Sequence, residues 1–170
     1  MSAAELPLPL VLIGPMGAGK TKIGRRVARA LDVPFIDTDK RIVAEHGEIT
    51  EIFADRGEPA FRELERAAVV AALAEPAVVS LGGGAVLNAD TQADLAACTV
   101  VLLTITGEAV AARIKTEKRP LLKNGTGEWQ RIYDERRPVY ERLATISFDT
   151  SSEPIEQIAE RIADWARGTA

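Results

Sequence analysis

Short apolar runs alternate along this chain with stretches in which apolar residues recur every three or four positions. That rhythm predicts the strands of a parallel sheet separated by covering helices. "LVLI", Leu10 to Ile13, reads as the first strand. In the following "KIGRRVARAL", Ile23, Val27, Ala30 and Leu31 are expected on one helical face. "PFID" reads as a short second strand ending at Asp37. Two short helices fit "DKRIVAEHG" and "TEIFADRG", each stopped by a glycine, Gly47 and Gly57. A longer helix starts in "EPAFRELERAAVVAALA", with Pro59 near its first turn. "AVVSL" is a third strand, "NADTQADLAA" a helix capped near Asn88, "TVVLLTI" a fourth strand and "GEAVAARI" a helix. "KTEKRPLLKNGTGE" is polar and broken by proline and glycine, so a mobile loop is expected there, over 116–127. "EWQRIYDERRPVYERLA" is expected to be helical up to its proline. "TISFDT" is a fifth strand, and "EPIEQIAERIADWA" a closing amphipathic helix. With no repeat and no long linker, the 170 residues predict one α/β domain.

Composition narrows the function classes. Lys plus Arg is 21 against Asp plus Glu 25, a net charge of −4. That balance gives no electrostatic reason to expect nucleic acid or an anionic membrane, although a local arginine cluster could still bind a small anion. Cys98 is the only cysteine, so no intramolecular disulfide can form and a cytoplasmic location is expected. It reads as a packed small hydrophobe. His46, the only histidine, has no second imidazole with which to share a metal. The N-terminal "MSAAELPLP" lacks the basic start of a signal peptide, and no apolar stretch approaches a membrane span.

"GPMGAGKT", Gly14 to Thr21, matches the phosphate-loop pattern and lies between a strand and a helix. In such a loop the glycines turn backbone N–H groups toward phosphate oxygens, and the following helix adds its positive end. Gly17, Ala18, Gly19, Lys20, Thr21 and Lys22 are therefore candidate nucleotide contacts. Lys20 is expected to reach the β- and γ-phosphates, and the Thr21 hydroxyl to ligate Mg²⁺. The third strand ends at Ser80 rather than an acid, so a carboxylate for the metal shell must come from elsewhere.

"FIDTDK" supplies Asp37 and Asp39 where an apolar strand ends. In open α/β sheets ligands bind at the carboxyl ends of strands. One acid could serve the metal and the other an acceptor hydroxyl. Helix capping is an equally open reading of both residues. A glycine triplet, Gly82 to Gly84 in "LGGGAV", follows the third strand and calls for a reason of its own, because bare backbone is entropically costly to order.

Taken in order, "GPMGAGKT", "DTD", Phe61-Arg62 with Glu65, "LGGGAV", "RPLL" and "RRPVY" resemble the shikimate kinases, from about Leu10 to Ile162. The resemblance implies a three-layer phosphate-loop kinase fold related to nucleoside monophosphate kinases. Its five-stranded parallel sheet would run in the order 2-3-1-4-5, with a lid loop and a substrate-binding helical segment at about 38–65. It implies transfer of phosphate from MgATP to the 3-hydroxyl of shikimate, in aromatic amino-acid biosynthesis, by a cytoplasmic monomer. Carried over, Thr21 and Asp37 match the metal residues, and Asp39 matches the aspartate on the shikimate hydroxyls. Arg62 and Arg136 match the two arginines on the shikimate carboxylate. Phe61, Glu65 and Gly82 to Gly84 match the remainder of that site. Arg119 in "RPLL" matches the lid arginine on the phosphates. Lys20, Asp39 and Arg119 would carry catalysis. Arg136 is chosen over Arg137 because the family pattern reads Arg-x-Pro-x-Tyr. "DTSSEP" lacks the arginine common in the family's adenine loop, so Arg113 is assigned to stack on adenine, with Pro154 beside it. A gluconate-type kinase of the same fold and a nucleotide sensor without transfer activity are the alternatives.

Overall fold

The structure is a computed structural model that describes residues 6–117 and 126–169. Its elements run β1 (Leu10–Ile13), α1 (Lys20–Leu31), β2 (Phe35–Asp37), α2 (Thr38–His46), α3 (Ile49–Leu73), β3 (Val78–Ser80), α4 (Ala89–Leu95), β4 (Thr99–Thr104), α5 (Gly107–Glu117), α6 (Thr126–Leu143), β5 (Ile146–Asp149) and α7 (Ile155–Thr169). One turn of 3₁₀ helix, Ala85–Leu87, precedes α4. All strand pairs are parallel, in the order β2-β3-β1-β4-β5. Successive residues of a strand face opposite sides, and every residue of β1 is buried, so both faces of the sheet centre are covered.

Register fixes what meets at the carboxyl edge. Leu12 pairs with Ser80, and Ser80 also pairs with Asp37. The loop after β1, the start of α2 and the loop after β3 therefore leave the sheet side by side. A smaller apolar cluster of Ile42, Ile52 and Phe61 joins α2 to α3 apart from the main core. It holds the helical segment that overhangs this edge.

Several boundaries differ from the sequence reading. In α1 the buried face is Ile23, Gly24, Val27, Ala28 and Leu31. Ala28 takes the place expected for Ala30 because a helical stripe runs i, i+4, i+5 and i+8 from Ile23. α6 continues through Pro138 instead of stopping there. Tyr133 and Tyr140, both buried, anchor it on either side of the proline. α3 spans both helices expected over 50–74, with the break at Gly57 (φ 84°). α5 reaches Glu117 and α6 begins at Thr126, so the ends of the expected 116–127 loop are helical; its remainder, with Arg119, lies outside the described residues. No described helix is long and apolar enough to cross a membrane.

Candidate active site

The phosphate loop bends through three glycines with positive φ: Gly14 (146°), Gly17 (87°) and Gly19 (95°). A β-carbon on Gly14 would overlap the Leu103 carbonyl oxygen on β4, so the loop leaves the sheet edge there only as glycine. Gly19 caps α1 without a side-chain hydrogen bond. The first N–H groups of α1 thus face the cleft, the arrangement that receives an anion. The Lys20 ammonium donates to the carbonyls of Gly14 (2.7 Å) and Pro15 (3.0 Å), which holds its charge at the loop mouth. The Ala18 side chain is buried, and its carbonyl accepts from the Thr150 hydroxyl (2.9 Å). Lys22 lines the same cleft.

Behind the loop, the Arg113 guanidinium donates to the Gly17 carbonyl (2.7 Å) and to the carbonyl of Thr150. It ties the phosphate loop to the turn after β5, at the cleft edge that Ile155 completes. Pro154 immediately precedes α7, and its carbonyl accepts from Gln157 and Ile158 N–H. Thr150, fully buried, was not legible as a site residue, and neither was Trp129, whose indole N–H donates to the Met16 carbonyl (2.7 Å).

The two aspartates occupy different environments. Asp37 ends β2 beside Ser80, at the strand position next to the one that lacks an acid. One of its oxygens accepts from the Thr21 hydroxyl (2.9 Å), and the other caps α2 by accepting Lys40 N–H (3.1 Å). Asp39 caps nothing. Its Oδ1 is buried and, among the described residues, has no hydrogen-bond partner. Burial raises the Asp39 pKa above the ordinary carboxylate range and the Asp37 charge adds to this, while Lys20 and Arg62 pull it back. A buried carboxylate oxygen without a donor is costly, and the chemistry it lacks is an incoming hydroxyl or N–H.

The glycine triplet makes room for this constellation. None of Gly82, Gly83 and Gly84 has a positive φ. Space explains them instead. A β-carbon at Gly82 would lie 2.7 Å from Asp39 Oδ1. At Gly84 it would lie 2.8 Å from Arg62 Nη1 and 3.2 Å from Arg136 Nη2, and at Gly83 3.2 Å from Arg136 Nη1. The carboxylate and both guanidiniums therefore converge over the bare backbone. Arg62 is steadied by Glu65 (2.7 Å) and Glu58 (3.5 Å). Burial raises the pKa of Glu65, and its hydrogen bond to Arg62 opposes that rise. The Phe61 ring packs in the α2–α3 cluster against Phe53 (4.9 Å), with the Arg62 guanidinium 5.3 Å from it, so it supports the arginine from beneath. Arg137, by contrast, points outward and pairs with Glu141 (3.0 Å). Tyr140 is fully buried and donates to the Gly83 carbonyl (2.7 Å).

The glycine-rich loop, the Thr21–Asp37 pair and Asp39 thus line one cleft, and the two converging arginines line the pocket that adjoins it across the glycine triplet. The sequence model of the family described as "Shikimate kinase" matches residues 16–167. The shikimate kinase of Thermobifida fusca is 45% identical over 157 residues, covering 90% of this chain and 91% of that one. The structure of a shikimate kinase from Acinetobacter baumannii in complex with shikimate superposes with a TM-score of 0.85 at 31% identity, covering 94% of this chain and 93% of that one. A gluconokinase from Sinorhizobium meliloti reaches a TM-score of 0.62 at 19% identity over 96% of each chain, a likeness of fold alone.

Proposed function

The chain belongs to the shikimate kinase family, and on that premise we propose how its residues divide the work of moving a phosphoryl group from ATP to shikimate. The protein is an ATP-dependent small-molecule kinase that phosphorylates the 3-hydroxyl of shikimate. The observation that carries the division of labour is the buried, unpartnered Oδ1 of Asp39. It lies between the phosphate loop and the arginine pair, where a hydroxyl must sit to meet a γ-phosphate.

ATP places its phosphates against Gly17 to Thr21 and the start of α1. Lys20 exchanges its carbonyl partners for the β- and γ-phosphates. Thr21 and Asp37 supply hard oxygens 2.9 Å apart. One carboxylate and one hydroxyl fit Mg²⁺, an ion usually held by one or two carboxylates plus substrate phosphates. These two residues would hold it, and when bound it supplies positive charge to the transferring phosphates. Arg113 and Pro154 border the space for the base. Arg119 keeps its assignment to the phosphates from the sequence pattern alone.

Shikimate enters as an anion. Arg62 and Arg136 grip its carboxylate, since guanidinium forks match carboxylate oxygens in pairs. That anchor turns the ring so that a hydroxyl donates to Asp39. The raised proton affinity of Asp39 suits it to accept the hydroxyl proton as the O–P bond forms. Most of the remaining catalysis is positioning and charge stabilisation. ATP as donor and a lone cysteine support the cytoplasm, and the monomer rests on the family resemblance alone. A coupled ADP-release assay with shikimate, gluconate and no acceptor tests the reading. Release with shikimate only is expected. Release with gluconate alone would favour the gluconate-type kinase, and tight ATP binding with no release would favour a sensor.

A further inference from the structure

The face of α6 that points into the molecule carries Trp129, Tyr133, Arg136 and Tyr140, spaced i, i+4, i+7 and i+11. The three aromatic rings form a column: Trp129 to Tyr133 is 5.3 Å between centroids and Tyr133 to Tyr140 is 6.3 Å. Each end of the column donates one hydrogen bond to a backbone carbonyl of a different ligand loop. Trp129 Nε1 donates to Met16 in the phosphate loop, and Tyr140 Oη donates to Gly83 in the glycine triplet, both at 2.7 Å. The two loops adjoin, since a β-carbon at Gly83 would lie 3.7 Å from the Gly14 carbonyl oxygen.

A trans peptide is planar, so fixing a carbonyl fixes the next N–H in the opposite direction. Holding the Met16 carbonyl sets the direction of the Gly17 N–H, and holding the Gly83 carbonyl sets that of the Gly84 N–H. Both residues that follow are glycines, with no β-carbon to restrain the peptide by other means. Trp129 is 2% exposed and Tyr140 fully buried, so neither bond competes much with water.

We propose that Trp129 and Tyr140 are positioning residues of the reaction, which through the Met16 and Gly83 carbonyls aim one amide at the donor phosphates and one at the acceptor. α6 then acts as a single strut between the two halves of the site, with Arg136 carried between its ends. The proposal rests on the assignment of the phosphate loop to ATP and of the triplet to shikimate.

The experiment uses the full chain. Tyr140→Phe removes only a hydroxyl, but that hydroxyl also meets Arg136, so the KM for shikimate is read beside kcat to separate that contact from the bond to Gly83. An indole-to-benzothiophene replacement at Trp129 keeps the ring shape and removes only the N–H; Trp129→Phe serves if that protein does not accumulate. kcat is measured with both substrates saturating, well below each variant's melting temperature. Each variant is expected to lose about tenfold in kcat, the scale set by leaving one buried carbonyl unsatisfied and its peptide free to turn. A residue that only packs would shift the melting temperature and leave kcat alone. Unchanged kcat in either variant overturns the proposal. Arg136→Ala is run beside them: if it leaves the KM for shikimate unchanged, the acceptor-site assignment itself fails, an outcome separate from that of the strut.

Discussion

Gly82 and Asp39 occupy each other's space: a β-carbon on the glycine would lie 2.7 Å from Oδ1 and 2.9 Å from Oδ2 of the aspartate. The proposed proton acceptor is therefore held partly by the absence of a side chain opposite it. Gly82→Ala must push Asp39 aside, and a displacement near 1 Å lowers catalysis by about 10²-fold. The loss should fall on kcat. Gly84→Ala instead meets the mobile tips of Arg62 and Arg136, so its main effect should be a higher KM for shikimate. Steady-state kinetics on the two variants checks the split.

The arginine assignment makes a paired prediction. Arg136→Ala should weaken shikimate binding by about 2–5 kcal/mol, the range for truncating one partner of a buried charge pair. ATP affinity should change little. Arg137→Ala should leave both near their starting values, because Arg137 faces Glu141 on the exposed side of α6. Calorimetric titration of each variant with shikimate measures this directly.

Asp39 predicts an opposition between stability and activity. Its pKa is raised in the folded protein, by burial first and the Asp37 charge second. The folded state therefore binds more protons than the unfolded chain between the two pKa values, and stability falls as pH rises through that window. Above it the ionised, desolvated carboxylate is a standing destabilisation. Asp39→Asn removes it, so the variant should melt higher than the parent protein at neutral pH. The gap should narrow as pH falls through the raised pKa. Thermal unfolding at several pH values tests both the sign and the narrowing.

Asp37→Asn should raise the Mg²⁺ concentration needed for half-maximal activity. About tenfold is the low end for losing a supporting carboxylate at a metal site. Asparagine can still accept Lys40 N–H, so α2 should keep its cap. Activity followed against Mg²⁺, with circular dichroism as the fold control, separates the two jobs of this side chain.

The elements whose apolar period was strong were legible in the sequence almost to the residue, because burial on one face leaves a repeat that can be counted. The phosphate loop was legible because its chemistry lies in consecutive residues. Asp37 and Asp39 could not be separated by pattern: both follow a strand, and only the fold puts one on Thr21 and leaves Oδ1 of the other without a hydrogen-bond partner among the described residues. Arg136 is told from Arg137 only by the family's Arg-x-Pro-x-Tyr pattern; the physical reason, that neighbouring helix residues differ by about 100° in direction, needs Tyr140 to anchor the inward face. Trp129 and Thr150 gave no signal at all. Their partners in the phosphate loop are backbone carbonyls more than a hundred residues away, and any residue type could supply those.

Asp39 is assigned to receive the acceptor hydroxyl and its proton. The decisive measurement is the turnover of Asp39→Asn with ATP and shikimate both saturating, with ATP binding measured on the same preparation. The variant keeps the size of the side chain and leaves Gly14 to Thr21 untouched. A loss in kcat of about 10²-fold or more, with ATP affinity retained, is the predicted result. Near-normal kcat would contradict the claim, and a near-normal Asp39→Asn beside an inactive Asp37→Asn would reverse the two roles.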